Sequence, residues 1–299
     1  MKSDRKSRRK LKGIRPFDII LNLFFVLLAL ITLYPFYYVL IMSFANAVAT
    51  AQHVPYLLPY TIDLSGYKTV FEDAAFFKAF GVSLFVTIVG VCINMTLSIM
   101  GAYALSKKTL IGRNFFLMLI LFTMLFSGGL VPGYLNVKNL GLINSIWSMI
   151  LPTAVSTYYM IIMKNYFVSL PESLEEAARI DGANSFVILA KIIIPISMPF
   201  VATFVLFYAV ERWNEWYNAM LYTNKKDLQP LQIYLREVLI SLSSQLASQA
   251  QVMMGKTQKV LASTVQMACI VVTMVPILCV YPFVQKHFVK GVMVGGIKE

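Results

Sequence analysis

Charge is what this 299-residue sequence has least of: Asp, Glu, Lys and Arg together make up 13% of it, against roughly 25% in an ordinary soluble domain. Cysteine is scarce as well. Cys92, Cys269 and Cys279 all lie inside apolar runs with no C-x-x-C spacing, which excludes a zinc site or a disulfide framework and leaves them as small core residues. The two histidines, His53 and His287, stand far apart. No H-E-x-x-H run and no pair of aspartates interrupts the apolar segments, so intramembrane metal or acid–base chemistry has no residues to work with. Neither a metal site nor a catalytic residue is expected. What the sequence has instead is 58% hydrophobic residues and a mean hydropathy of +0.70. That composition belongs to an all-α integral membrane protein, because a helix satisfies its own backbone in lipid.

Uncharged stretches run over 19–62, 79–106, 114–137, 139–163, 192–210 and 260–285. Each approaches or exceeds the ~20 residues that a helix rising ~1.5 Å per residue needs to cross ~30 Å of hydrocarbon. In the first, only 19–44 is apolar throughout, since His53, Pro55, Pro59 and Tyr60 punctuate the rest. Six transmembrane helices are therefore expected, in one domain over 19–285. A further uncharged stretch, 238–255, carries Ser241, Ser243, Ser244, Gln245, Ser248, Gln249 and Gln251. It is too polar to face lipid and reads as an external helix. Pro35, Pro152, Pro195, Pro199 and Pro276 fall within or at the ends of the spans, where proline kinks a helix that its neighbours then support.

Lys2, Arg5, Lys6, Arg8, Arg9, Lys10, Lys12 and Arg15 precede the first span and mark 1–18 as a basic tail for the cytosolic lipid surface rather than for nucleic acid. The first apolar run is too long for a signal peptide and no small-x-small cleavage site follows it closely, so it is expected to stay as an anchor. With the tail inside, the loops after the second and fourth spans and the C-terminal tail 286–299 bring the cytosolic share to 17 of the 26 Lys and Arg residues. Both termini are accordingly expected in the cytosol. An external loop over 211–259 opposes the trend weakly, with Arg212, Lys225, Lys226, Arg236, Lys256 and Lys259.

The longest cytosolic loop, 165–191, has a helix start written into it. Ser169 can act as N-cap, Pro171 suits a first turn, and Glu172, Glu175 and Glu176 sit toward the positive end of the helix dipole. Gly182 can take the left-handed conformation that stops the helix, and a second short helix over 183–191 should follow. Two short helices joined at a glycine make a compact knob suited to docking in a groove, with Ala177 and Ala178 keeping the backbone close to whatever lies against them.

Glu176-Ala177-Ala178, three residues, Gly182, nine residues and Ile192-x-Ile194-Pro195 resemble the E-A-A-x3-G-x9-I-x-L-P loop of binding-protein-dependent ABC importer permeases, with Ile194 in place of the usual Leu. The resemblance extends over nearly the whole chain and is nearest to maltose-type carbohydrate permeases, in the branch associated with oligo- and polysaccharide or lipoprotein-linked uptake. It is carried by Gly128-Gly129-Leu130-Val131-Pro132, by Asn139 to Asn144, by Trp213-Asn214-Glu215-Trp216 and by the ending from Tyr281 onward. The resemblance implies a type I ABC importer permease fold in the bacterial plasma membrane. It further implies a second, distinct permease subunit, two ATPase subunits that use ATP and Mg, and an extracytoplasmic solute-binding protein. Glu176, Ala177, Ala178, Arg179, Asp181, Gly182 and Phe186 are the residues it assigns to ATPase coupling.

Two look-alike motifs carry nothing. The run 250–257, ending Gly255-Lys256-Thr257, has a P-loop pattern only if Ala250 replaces glycine, and it lies in an external loop without the strand and helix that a nucleotide site needs. No cofactor is therefore expected on this chain. Asn94-Met95-Thr96 spells a glycosylation acceptor inside a span, which leaves Asn94 as a candidate pore-facing amide. Glu211 to Asn218 packs aromatics and hydrogen-bonding groups into two helical turns. Trp and Tyr belong at membrane interfaces in any case, but sugars stack their C–H faces on aromatic rings while their hydroxyls meet amides and carboxylates. Tyr158, Tyr159, Asn214, Glu215, Trp216 and Asn218, with Asn94, are thus the candidate carbohydrate path.

The resemblance implies a subunit that forms half of a transmembrane channel and moves an oligosaccharide or polysaccharide fragment inward by alternating access, with ATP hydrolysed on other chains. A self-sufficient secondary transporter competes. It would normally place an ionisable group in mid-membrane, and the apolar runs contain none away from their ends.

Overall fold

A computed structural model describes residues 16–46, 62–249 and 263–279. The basic tail through residue 15, His53, the run 250–257, His287 and the C-terminal tail lie outside them. Apart from one isolated bridge between Ala45 and Ile62, the regular structure of the described residues is helical.

Helix α1, Pro16–Ser43, is apolar on every side and exposed along its membrane-length window, as a helix does whose neighbours are lipid or another chain. After the short α2, Ser65–Glu72, helix α3 runs from Ala74 to Ser106 and forms the axis of the molecule. Asp73 starts it by accepting the Ala75 N–H at 2.9 Å. The expected second span therefore begins earlier than residue 79, with Lys78 carried on its first turns.

Three of the expected continuous spans are broken. Helix α4, Arg113–Leu125, and α5, Leu130–Asn139, meet at 116°, because Gly129 at φ +85° lets the chain reverse direction. The stretch 139–163 begins as tight turns over Ile146–Thr153 and continues as α6, Thr157–Val168, bent by 47°. After α7, Ser173–Ile180, α8 runs over Ser185–Ile196 and meets α9, Met198–Trp213, at 89°. Pro195 cannot donate to the carbonyl one turn back, and the helix opens into a π turn over Leu189–Ile193 just before it. Pro199 then starts α9 beyond the buried Ser197. The second knob helix does not stop at residue 191; it feeds through the π turn directly into the bend.

Helix α10, Tyr217–Tyr222, leads to α11, Leu231–Gln249, which includes the start of the stretch read as an external helix. The last described element, α12, is Ser263–Cys279. Helices α6, α9 and α11 pack on α3. Met95, Ile99, Ala102 and Tyr103 of α3 meet Met160, Met163 and Phe167 of α6 and Phe204 and Tyr208 of α9 in the main core. Within it Ser98 and Tyr208 share a 2.8 Å hydrogen bond, and Tyr166 stacks on Phe200 with centroids 3.8 Å apart. Cys269 is buried, whereas Cys92 and Cys279 are exposed.

Candidate functional site

The knob is attached at the C-terminal end of α3. Ser169 is not its N-cap: the Ser169 hydroxyl donates backward to the Tyr166 carbonyl at 2.7 Å, and α7 begins at Ser173 with no side-chain cap. Pro171 intervenes, so the chain leaves α6 before the new helix can start. Glu175 fixes α7 in place. Its carboxylate pairs with Lys107, the two side chains being 14% and 23% exposed. Lys107 Nζ also lies 4.1 Å above the Tyr103 ring. A second, exposed pair joins Lys108 to Glu172 at 3.3 Å. At the other end of α7, Gly182 stands at φ +81°. The Gly182 N–H donates to Arg179 O at 3.0 Å and the Ala183 N–H to Ala178 O at 2.9 Å. This double bond pattern is that of a left-handed helix stop. Asn184 then caps α8, its Oδ1 accepting the Val187 N–H at 2.9 Å.

Of the expected coupling residues, Ala178 faces inward and is buried, while Glu176, Ala177, Arg179, Asp181, Gly182 and Phe186 are exposed. Ile180 and Phe186, 88% and 68% exposed, leave two large apolar side chains on a short polar segment. Sequence reasoning missed Glu175, Lys107 and Ile180. The spacing of Glu175 from Ala178 on one helix would have shown that they share the inward face.

The opposite end of α3 carries the aromatic and amide cluster. Trp216 is 45% exposed and meets Tyr217 edge-on at 5.8 Å. Asn214 accepts from Gln232 at 3.1 Å and donates to the Val210 carbonyl at 2.8 Å. Glu215 and Asn218 are committed to each other: the carboxylate accepts the Asn218 N–H and amide, both at 2.9 Å, and Asn218 is buried. Tyr158 is exposed. Tyr159 donates to Glu211 at 2.8 Å and packs edge-on against Tyr208 at 5.0 Å.

Asn94 does not face a pore. It is 1% exposed, and its Oδ1 accepts from the Arg212 guanidinium at 2.9 Å. Arg212, itself 3% exposed, was absent from the expected site. Its Nη1 donates to Met149 O and Thr153 Oγ1 at 2.6 and 2.9 Å, and its Nη2 to Ile150 O and Thr153 O at 3.2 and 2.6 Å. The carbonyls left unpaired where the Ile146–Thr153 turns break from α6 are thus satisfied by a side chain from α9. Glu215 lies 4.0 Å from the guanidinium, and the stem of Arg212 runs against Gly90 of α3.

Two cavities open along the segment 211–216. One of about 390 Å³ is lined by Pro152, Thr153, Val155, Ser156, Glu211, Arg212 and Glu215. The other, about 540 Å³, lies between Trp216 and α11. They divide the expected path residues, Glu215 on the first and Trp216 on the second. Helix α11 is held to α3 by the Leu231 N–H donating to Ser83 at 2.7 Å and Tyr234 donating to Asp73 at 2.8 Å. Burial, and after it the Asp73 carboxylate, raises the pKa of the Tyr234 hydroxyl. No group of three or more potential metal-ligating side chains occurs among the described residues.

Residues 109–294 match the family of binding-protein-dependent transport system inner membrane components. The chain is 43% identical over 284 residues to the polygalacturonan/rhamnogalacturonan transport system permease protein YtcP of Bacillus subtilis (strain 168), covering 95% of this chain and 99% of that one. It is 42% identical over 287 residues to the protein LplC of the same organism, covering 96% of each. Among solved structures, a chain in the crystal structure of a bacterial ABC transporter involved in the import of the acidic polysaccharide alginate matches with a TM-score of 0.83 and 36% identity, over 93% of this chain and 98% of that one.

Proposed function

The chain belongs to the family of binding-protein-dependent transport system inner membrane components, and from that membership we propose that it is the permease subunit of an ATP-driven importer for an oligosaccharide or polysaccharide fragment. It is a multi-pass protein of the bacterial plasma membrane and a transport subunit rather than a catalyst. It crosses the membrane six times with both termini in the cytosol and makes half of a channel whose other half is a second, distinct permease. Two ATPase subunits use ATP and Mg below it, and a solute-binding protein delivers the glycan from outside. ATP and the loaded binding protein shift the population from inward-open to outward-open.

The observation that carries this reading is the knob. Ile180 and Phe186 are exposed beside Glu176 on a unit whose shape is fixed by the Lys107–Glu175 pair and by Gly182. Such a unit fits a groove on a cytosolic partner, where Glu176 meets a donor in a charge-assisted hydrogen bond worth roughly 1.5–3 kcal/mol. The 89° bend beyond α8 then carries motion of the knob into α9, which holds Glu211 and Arg212. Expressed with its operon partners, the wild type should copurify with a second permease and an ATPase, and Glu176→Lys should keep the permease and lose the ATPase or its response to loaded binding protein. Ion-driven uptake by this chain alone in liposomes would establish a secondary transporter instead.

A further inference from the structure

Two polar rungs cross the apolar core one helical turn apart. Asn94 and Ser98 are four residues apart on α3 and so share a face, as do Tyr208 and Arg212 on α9. Asn94 Oδ1 accepts from Arg212 at 2.9 Å, and Ser98 is bonded to Tyr208 at 2.8 Å. All four side chains are buried. Each rung continues into a third segment. Arg212 donates to the carbonyls of Met149, Ile150 and Thr153, and the Ser156 N–H donates to the Tyr208 hydroxyl at 3.2 Å. Tyr159 and Glu211 add a single tie at the exposed rim.

The third segment is a cavity wall. Residues between 152 and 156 line one side of the cavity of about 390 Å³, and Glu211, Arg212 and Glu215 line the other. Apolar packing is non-directional and tolerates small slides between neighbours, whereas hydrogen bonds weaken steeply with distance and angle. A slide of about 2 Å between α9 and this wall, the scale of helix shifts in switching proteins, would take Arg212 out of reach of Met149 O and Ile150 O, now 2.6 and 3.2 Å away. Both residues are fully buried, so their carbonyls would be left without a donor. Arginine suits the position because its planar fork of donors reaches several acceptors at once, and Gly90 leaves room for its stem.

We propose that Arg212 is the positioning residue that makes the cavity wall 152–156 move with α9 as one body, so that motion entering α9 from the knob displaces the cavity whole instead of opening a gap in its side. The inference rests on the importer reading above, in which the knob moves α9, and adds the residue that hands this motion to the cavity. Tyr208 repeats the link one turn away, so α3, α9 and the wall keep one register. Arg212 carries more of it, with four bonds to the wall against one from Tyr208.

The test is a distance measured by pulsed EPR in the assembled importer in proteoliposomes, between spin labels on Val155→Cys in the wall and Val205→Cys on α9, both exposed, with the native cysteines replaced by alanine. It is taken without nucleotide and again with ATP, loaded binding protein and vanadate. With Arg212 in place the distance should agree in the two states to within about 1 Å; in Arg212→Gln it should differ by about 2 Å or more. The same vesicles should move several-fold less glycan per ATP hydrolysed, read with labelled maltotriose or trigalacturonate, whichever the binding protein retains. Arg212→Lys should fall between the two. A distance that changes with Arg212 in place, or an Arg212→Gln complex that matches it in either readout, overturns the proposal and leaves the importer reading standing. Failure of both Arg212 variants to assemble with the second permease makes the residue a purely structural clamp and also overturns it. A wild-type complex that hydrolyses ATP but moves neither glycan removes the importer reading and this inference with it.

Discussion

Replacing Gly90 by alanine tests whether Arg212 is locked in place. A Cβ built on Gly90 would stand 2.9 Å from Arg212 Cδ and 3.0 Å from Nε, closer than such atoms approach without movement. A free arginine stem would swing aside at little cost. This one cannot, because its head makes five hydrogen bonds to Met149, Ile150, Thr153 and Asn94, and each bond to a charged group is worth roughly 1.5–3 kcal/mol. Gly90→Ala must therefore strain α3 against α9 or give up one or two of those bonds, a loss of about 1–3 kcal/mol. The control lies nine residues earlier on the same helix: a Cβ at Gly81 meets nothing within 4 Å, and glycine to alanine in an open helical position gains about 0.5–1 kcal/mol. Thermal unfolding of the isolated chain in detergent should show Gly90→Ala melting below the wild type and Gly81→Ala at or above it. If the two variants melt alike, the guanidinium is not held by its carbonyl partners and its place as the hub of three segments is lost.

At Gly182 no side chain stands within 4 Å of the added Cβ, so Gly182→Val is penalised by the +81° φ alone, about 1–2 kcal/mol; permease pairing should survive while ATPase copurification falls. Glu175→Gln or Lys107→Met should free α7 at a cost of about 1–3 kcal/mol, read as faster proteolysis near residues 172–182. Cysteines placed at Asp63 and Asp227 should label from outside intact cells, and protection of both would reverse the orientation. Asp227 is fully exposed and its hydrogen bond to Lys78 holds its carboxyl below the ordinary carboxylate range. The pair is intact above that range and breaks only as pH falls through the depressed value, so NMR titration should place Asp227 lower in the wild type than in Lys78→Met.

The knob was legible in the sequence because its devices are local. A glycine between two apolar–polar helices, acidic residues early in the first of them, and Pro195 beyond are spacings that a chain carries within the 24 residues of 172–195, and Gly182 takes the left-handed conformation expected of it. The two long helices were legible too, since the uncharged runs 19–44 and 79–106 fall on Pro16–Ser43 and Ala74–Ser106. The breaks were not: an uncharged run looks the same whether straight or folded back, and only the Gly128-Gly129 pair and the prolines hinted at bends of 116° and 89°. Arg212 was hidden for a different reason. At the end of an apolar run a cation reads as an interfacial residue, and its partners are mostly backbone carbonyls distant in sequence, which leave no side-chain signature. The same blindness placed Asn94 in a pore. Its amide was seen as polar and the guanidinium 118 positions away was not.

The central claim is that this chain moves a solute only because its knob is engaged by a separate ATPase. The most direct measurement is ATP hydrolysis by the complete reconstituted importer, with and without loaded binding protein, comparing the wild type with Glu176→Lys and Gly182→Val. The account predicts that loaded binding protein stimulates the wild type and that stimulation and uptake disappear together in both variants, although each still pairs with the second permease. Stimulated hydrolysis and normal uptake in both variants would contradict it.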